Sequence, residues 1–222
     1  MGEPDYYQSI VQSYQDAYAG DQVLLGFIER AMGYLAPQSQ ILDVGCGTGK
    51  PLDMALAAAG HRIEGIDKSP SMIDFSQKNV PTGKFQTADM VTYEHPTGKQ
   101  SLDAVFNVRA LFRDTRADIE TCVGNWARWL KTRGLLCMVV LAADDYNPNK
   151  VVRYDEDGHC AKVKRRFMGN DEECVLFSHV GWKHLLQANG LETLDERMEL
   201  FVPPETADSD EAAQYCFVAR KL

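Results

Sequence analysis

No stretch of this chain approaches the ~20 consecutive apolar residues that cross a bilayer. Its opening, MGEPDYYQSI, has neither the basic start nor the apolar run of a signal peptide. Tyr6 stands where a myristoylation pattern needs serine or threonine. The six cysteines (Cys46, Cys122, Cys137, Cys160, Cys174, Cys216) form no CxxC pair, which leaves zinc-ribbon and thioredoxin-type readings without a motif. They suit reduced, buried thiols, although Cys160 and Cys174 could face each other across a hairpin. Basic side chains are in deficit, 23 against 32 acidic, for a net charge of −9. Neither a nucleic-acid backbone nor an anionic membrane attracts such a chain, and there is no basic face for tRNA or rRNA. The expectation is a soluble, cytoplasmic protein whose partner is a small molecule; oligomeric state is not legible.

What is present is alternation. After a short polar helix, Tyr7 to Ala17, a second helix over Asp21 to Leu35 carries Leu24, Ile28, Ala31, Met32 and Leu35 on one stripe, with Asp21 as N-cap. Apolar strands then take turns with helices. Strands are predicted at Gln40–Val44, Arg62–Ile66, Lys84–Thr87, Leu102–Asn107 and Gly134–Ala142. The helices between them run over Pro51–Ala59, over Pro70–Asn79 with Ser69 as cap, and over Thr115–Lys131. Nearly continuous apolar strands in this order mean an α/β, doubly wound, mostly parallel sheet. Asp144 to Val180 breaks the pattern and reads as a hairpin, Cys160–Phe167 and Cys174–His179, turning at Gly169-Asn170-Asp171. A helix over Gly181–Ala188 and strands at Glu192–Phe201 and Ala213–Ala219 close the chain. The whole of 1–222 is expected to be one domain, with 1–36 a helical lid and 144–180 an insert on the substrate side.

The segment Ile41-Leu42-Asp43-Val44-Gly45-Cys46-Gly47-Thr48-Gly49 runs a buried strand into a glycine turn and a helix. Glycines let backbone approach a ligand, and a helix N-terminus adds oriented N–H groups. Asp67 ends the next strand, where a carboxylate can accept from both hydroxyls of a ribose. Asp89-Met90 follows the third strand. Taken singly, each has a plain structural reading: a turn, a helix entry, a turn cap. Taken together they point to a nucleoside-containing cofactor at the switch point of the sheet. The glycines fall as GxGxG with Lys50 next, one residue short of the dinucleotide fingerprint GxGxxG, which disfavours a nicotinamide-dependent oxidoreductase.

The order Asp43, Gly45-x-Gly47-x-Gly49, Asp67, Asp89-Met90 resembles the class I S-adenosylmethionine-dependent methyltransferase family, small-molecule branch. The resemblance implies a Rossmann-like seven-stranded sheet with its last strand antiparallel. It also implies S-adenosylmethionine as cofactor, released as S-adenosylhomocysteine. Gly45, Cys46 and Gly47 would pass under the methionine part, and Asp67, with Lys68 beside it, would hold the ribose. Met72 would pack on adenine, Asp89 would take the adenine amino group, and Met90 would face the ring. Asn107 and Val108 would lie near the cofactor amine, and Tyr14 would close over the site.

The acceptor side is less legible. Where many relatives carry a histidine after a Leu-Phe pair, this chain has Arg113, which cannot accept a proton at usable pH. Arg109 and Arg113 could orient an anionic or carbonyl-rich acceptor, or form surface pairs with Asp114 or Asp118. His179 could act as a base, or simply cap a helix. Asp144-Asp145 follow the fifth strand, but Asn107 stands where a magnesium site would need a carboxylate, so no metal is assigned. Phe167-Met168-Gly169-Asn170 and Leu200-Phe201-Val202-Pro203-Pro204 resemble methyltransferases of fungal secondary metabolism, which implies methylation of a natural-product oxygen. A cofactor-binding protein of the same fold that does not methylate, a scaffold or cyclisation catalyst, is the alternative.

Overall fold

The computed structural model describes residues 9–18, 20–112 and 114–222. The apolar runs become strands β1 (Gln40–Val44), β2 (Arg62–Asp67), β3 (Lys84–Thr87), β4 (Leu102–Val108) and β5 (Leu130–Leu141). Next come β6 (Val151–Tyr154), β7 (Cys160–Phe167) and β8 (Asn170–Phe177), then β9 (Leu191–Phe201) and β10 (Ala212–Lys221). The main sheet has the order β3-β2-β1-β4-β5-β10-β9. β1 to β5 pair in parallel, and β10 enters antiparallel between β5 and β9. Strand order reverses between β1 and β4, which makes their carboxyl ends the expected ligand crevice.

Six helices flank the sheet: α1 (Val11–Tyr18), α2 (Gln22–Met32), α3 (Leu52–Ala58), α4 (Pro70–Asn79), α5 (Arg116–Trp129) and α6 (His179–Ala188). Burial on both faces follows the two-residue period of a strand. In β1, Ile41 packs with Phe27, Ile28 and Leu56 of the α2–α3 layer, while its neighbour Leu42 packs with Trp126 and the α5–α6 layer. Local capping fixes where helices begin. Asp21 accepts from Val23 and Leu24 N–H at α2, Ser69 caps α4, and Thr115 with Asp118 forms a reciprocal capping box at α5.

The insert departs from expectation. It is a three-stranded antiparallel sheet, β6-β7-β8, rather than a bare hairpin. Its tight turn falls at Met168-Gly169, both at positive φ (48° and 81°), one position before the expected turn. Two left-handed residues match the twist of a two-residue hairpin loop, and this fixes the register with Phe167 opposite Asn170. In that register Cys160 faces Phe177 and Cys174 faces Val163, so the two cysteines do not meet; both are free thiols. β6 escapes sequence reading because it has only four residues, three of them exposed. α6 starts at His179, two residues early, because Ser178 caps it by accepting from Gly181 N–H. β5 starts at Leu130, directly on the end of α5, and a register shift between Leu102 and Ala104 absorbs the irregularity ahead of Gly134. The first part of the predicted Tyr7–Ala17 helix lies outside the described residues.

Candidate active site

The loop after β1 is built to leave space. Gly45, Gly47 and Gly49 all have positive φ (75°, 53° and 73°), which side chains other than glycine's adopt only with strain. The reasons differ between positions. A Cβ on Gly45 would lie 2.3 Å from the Ala110 Cβ, so this glycine lets two loops touch. Among the described residues, a Cβ on Gly47 meets nothing within 4 Å. The loop is pinned from below: Gly45 and Cys46 N–H donate to the Ile66 carbonyl (2.8 and 3.0 Å), and Asn79 Nδ2 donates to the Thr48 carbonyl at 2.9 Å.

Four acidic residues surround this loop. Asp67 at the end of β2 accepts from Gly47 N–H and Ser69 N–H, both at 2.9 Å, which orients its carboxylate along the loop. Asp89 accepts from Val91 N–H at 2.9 Å and pairs with the exposed Lys68 at 3.4 Å. Asp43 and Asp53 are buried beneath the glycines. Burial first, then the charge of Asp67, pushes Asp43 up to about 8; burial and then Asp43 push Asp53 up as well. Among the described residues no donor reaches Asp43 Oδ1 or either oxygen of Asp53. A bond between these carboxyls therefore needs a shared proton, as in other close carboxyl pairs. Burial, then Asp53, Asp43 and Asp67, also raise the Cys46 thiol, so it stays protonated. Met72, in the first turn of α4, is buried beside this loop's supporting helix.

At the end of β4, Asn107 is fully buried and donates from Nδ2 to the Val44 carbonyl at 2.8 Å. Its Oδ1 has no partner among the described residues. A buried acceptor left unmet costs about 1–3 kcal/mol unless a ligand donates to it.

Two residues on, the chemistry changes sign. Arg109 has positive φ (54°) and is held by its N–H to the Val139 carbonyl at 2.8 Å. Its Nη1 donates to Asp21 Oδ2 at 2.9 Å, not to Asp114 or Asp118. The same Asp21 oxygen accepts from Gln214 Nε2 at 2.9 Å, and Oδ1 caps α2. Arg109 Nε and Gln214 Oε1 are buried without partners among the described residues. Both residues line a cavity of about 50 Å³, together with Tyr14 and Tyr18 of α1 and Arg165 of β7. Arg165 lies 4.4 Å from the ring centres of both Phe112 and Phe167, and its Nε donates to Glu172 at 2.8 Å.

The other acceptor-side candidates separate. His179 is not among the residues lining the cavity; its Nε2 sits 2.9 Å from Asp145 and its ring packs edge-on against Tyr215. Asp144 accepts from the His179 N–H at 2.7 Å, so both carboxylates after β5 serve the start of α6. Arg113 lies outside the described residues. Sequence reading missed Arg165, Gln214 and the second role of Asp21. Arg165 left a signal: it shares strand parity with Ala161, Val163 and Phe167, so an arginine stands on the buried face of β7. The pairing of Asp21 with Arg109, across 88 positions, left none.

Residues 41–134 match the family described as "Methyltransferase domain". An O-methyltransferase of Pyrenophora dematioidea is 33% identical over 122 residues, 51% of this chain and 43% of that protein. O-methyltransferase resE of Aspergillus sclerotiorum is 32% identical over 124 residues, 52% of this chain and 46% of its own length. The chain thus spans less than half of either relative. Among solved structures, 1,6-didemethyltoxoflavin-N1-methyltransferase of Burkholderia thailandensis superposes with a TM-score of 0.67 at 15% identity, covering 100% of this chain and 91% of that one. At that identity the likeness is one of fold.

Proposed function

We propose that this chain, a member of the S-adenosylmethionine-dependent methyltransferases, moves a methyl group from S-adenosylmethionine to an oxygen of a small-molecule acceptor. One observation carries the reading: among the described residues, a Cβ on the left-handed Gly47 would meet nothing within 4 Å, and a buried acceptor, Asn107 Oδ1, is unmet at the neighbouring strand end. The residues fit the cofactor. Gly45, Cys46 and Gly47 run under its methionine part, and Asp67, with Lys68 beside it, receives the ribose. Met72, Asp89 and Met90 frame the adenine; Asn107 and Val108 face the amine, and Tyr14 covers the mouth. Residues 1–222 act as one catalytic unit, with 1–36 as its lid and 144–180 as the acceptor-side insert. The two relatives named as O-methyltransferases support oxygen as the methylated atom.

The cofactor supplies a methyl on a sulfonium, already activated, so the protein's work is positioning. As the new O–CH₃ bond forms, the S–CH₃ bond breaks with its electron pair retained by sulfur, and the acceptor's hydroxyl proton has gone to water. The buried carboxylates beneath the loop favour a cation above it. Arg109, a few residues away, favours an ionised oxygen opposite. Opposite charges then meet and cancel in the transition state.

Calorimetric titration with S-adenosylhomocysteine tests this. The wild type binds, and Asp67→Asn, which keeps one acceptor oxygen for either the Gly47 or the Ser69 N–H but not both, loses one to two charge-assisted hydrogen bonds of about 1.5–3 kcal/mol each. Binding of NADH in place of S-adenosylhomocysteine would mean a nicotinamide enzyme. Tight cofactor binding with no product released on any phenol would mean a protein that does not methylate.

A further inference from the structure

Building on the methyl-transfer reading, we propose that the cavity between α1, β7 and β10 takes a planar aromatic acceptor carrying an anionic oxygen, a carboxylate or an ionised phenol, held at Arg109. The charge of the cavity is the first reason. In a chain of net charge −9, it is lined by Arg109, Arg165 and Arg166 against one acid, Asp210. Arg166 is spoken for by Asp171 and Asp208 at the surface, and Arg165 by Glu172. Arg109 is different. Its one counter-charge among the described residues, Asp21, is divided among four donors: two backbone N–H groups of α2, Gln214 and Arg109 itself. The guanidinium side chain is only 9% exposed, yet its Nε has no partner among the described residues. A buried cation with a donor to spare is a site for an anion.

Gln214 sets the second polar requirement. Its Oε1, also buried and unmet, can accept from a hydroxyl on the same ligand. The rings set the shape. The Arg109 guanidinium lies 5.1 Å from the Tyr18 ring centre and 5.7 Å from that of Phe201. Arg165 repeats the arrangement between Phe112 and Phe167. Tyr14 stacks on Tyr18 at 4.9 Å and closes the end. A ring that enters the cavity beside these flat groups gains stacking on both aromatic and guanidinium planes. Among the described residues no lysine or histidine lines this cavity, and burial keeps the Tyr18 and Tyr146 hydroxyls protonated. The tyrosines therefore present donors rather than bases, which suits an acceptor that arrives ionised.

The test uses the full chain saturated with S-adenosylhomocysteine and four probes in calorimetric titration. These are 2,4-dihydroxybenzoate, 4-nitrophenol at a pH where it is ionised, resorcinol as the neutral ring, and cyclohexanecarboxylate as the anion without a ring. The proposal expects at least one aryl anion to bind about tenfold or more tighter than both resorcinol and cyclohexanecarboxylate. Whether the benzoate or the nitrophenolate leads tells carboxylate from phenolate. Arg109→Lys keeps a charge opposite Asp21 but loses the planar fork, so the preference for the aryl anion falls towards unity. Tyr18→Leu, on the outer helix, lowers the preference for aryl over cyclohexane anions and leaves that for anion over neutral ring. Equal affinity for all four probes, no binding of any, or a ratio unmoved in both variants overturns the inference while S-adenosylhomocysteine binding keeps the methyl-transfer reading. Failure of S-adenosylhomocysteine to bind the wild type overturns both.

Discussion

The two halves of the ligand-facing sheet edge follow opposite electrostatic plans. Around the ends of β1 and β2, four carboxyls crowd a glycine loop, and burial pushes two of them, Asp43 and Asp53, above the usual carboxylate range. Around the ends of β4, β5 and β10, buried guanidinium groups sit between aromatic rings, each tied to a carboxylate from another element. Asn107 to Arg109, three residues of one strand end, span the boundary. On the proposed reading, a cationic cofactor on the acidic half and an anionic acceptor on the basic half would approach along the field each half sets up. Their charges vanish together on methyl transfer, and a low-dielectric site favours that change. The halves also differ in what removal of one group does: the acidic half gains by losing a charge, and the basic half fails by losing one.

The largest effect expected from this difference is at Asp21. Asp21→Ala strips Arg109 of its counter-ion, Gln214 of its acceptor and α2 of its cap at once. Breaking one side of a buried ion pair costs about 3–5 kcal/mol. Urea unfolding should show at least that loss, and Asp21→Asn, which keeps the cap acceptor, a smaller one. A change under 1 kcal/mol would mean that Arg109 is not dependent on Asp21.

The glycine loop sharpens the acidic side. Gly45→Ala drives a methyl into Ala110, and overpacking of this kind costs about 1–3 kcal/mol beyond the strain of positive φ. Gly47→Ala meets open space and costs only the left-handed strain, about 1–2 kcal/mol. In thermal melts Gly45→Ala should be the less stable variant. In titrations with S-adenosylhomocysteine, Gly47→Ala should lose binding although its fold is the better kept. If Gly47→Ala binds like the wild type, the space above it is not the cofactor's.

This contrast also explains what could be read from sequence. The cofactor half is local in the chain. Asp43 lies within the apolar β1, the three glycines follow it directly, Asp67 ends β2 and Asp89 follows the short β3, so spacing along the chain sets them side by side. The acceptor half is assembled from α1, α2, β4, β7 and β10, whose contacts span up to 193 positions. No local pattern encodes the meeting of Asp21 with Gln214. The insert was misread for a similar reason: a turn at Met168-Gly169 places a left-handed methionine where composition favours Gly169-Asn170.

A third, smaller effect is a pH slope. An unfolded carboxyl releases its proton near ~3.9, whereas burial and the charge of Asp67 hold a proton on folded Asp43 up to about 8. The folded state therefore binds more protons between these values, and stability falls as pH rises through that window, by at most about 1.4 kcal/mol per pH unit for one proton. Asp53→Asn replaces the shared proton with permanent amide hydrogens and should flatten the slope. Urea midpoints from pH 5 to 8 measure it; a variant as pH-sensitive as the wild type would mean that the pair does not hold the proton.

The smallest effect is expected at His179, and it bears on how the acceptor loses its proton. A positioned general base contributes roughly 10²–10⁴-fold, so removing one is unmistakable. The histidine is bonded through Nε2 to Asp145, packs on Tyr215 and stands apart from the cavity-lining residues. An acceptor ionised under Arg109 needs no base from the protein. His179→Asn should thus lower stability by about 1 kcal/mol, its imidazole being 29% exposed and the Asp145 side chain 9%. It should leave S-adenosylhomocysteine and aryl-anion affinities unchanged. Methyl transfer to 2,4-dihydroxybenzoate, followed by S-adenosylhomocysteine release across pH 6 to 9, should keep its rate and profile. A loss of about a hundredfold, with an ionisation in the histidine range gone from the profile, would instead bring α6 over the site. The acidic and basic halves would then need a third group to complete the chemistry.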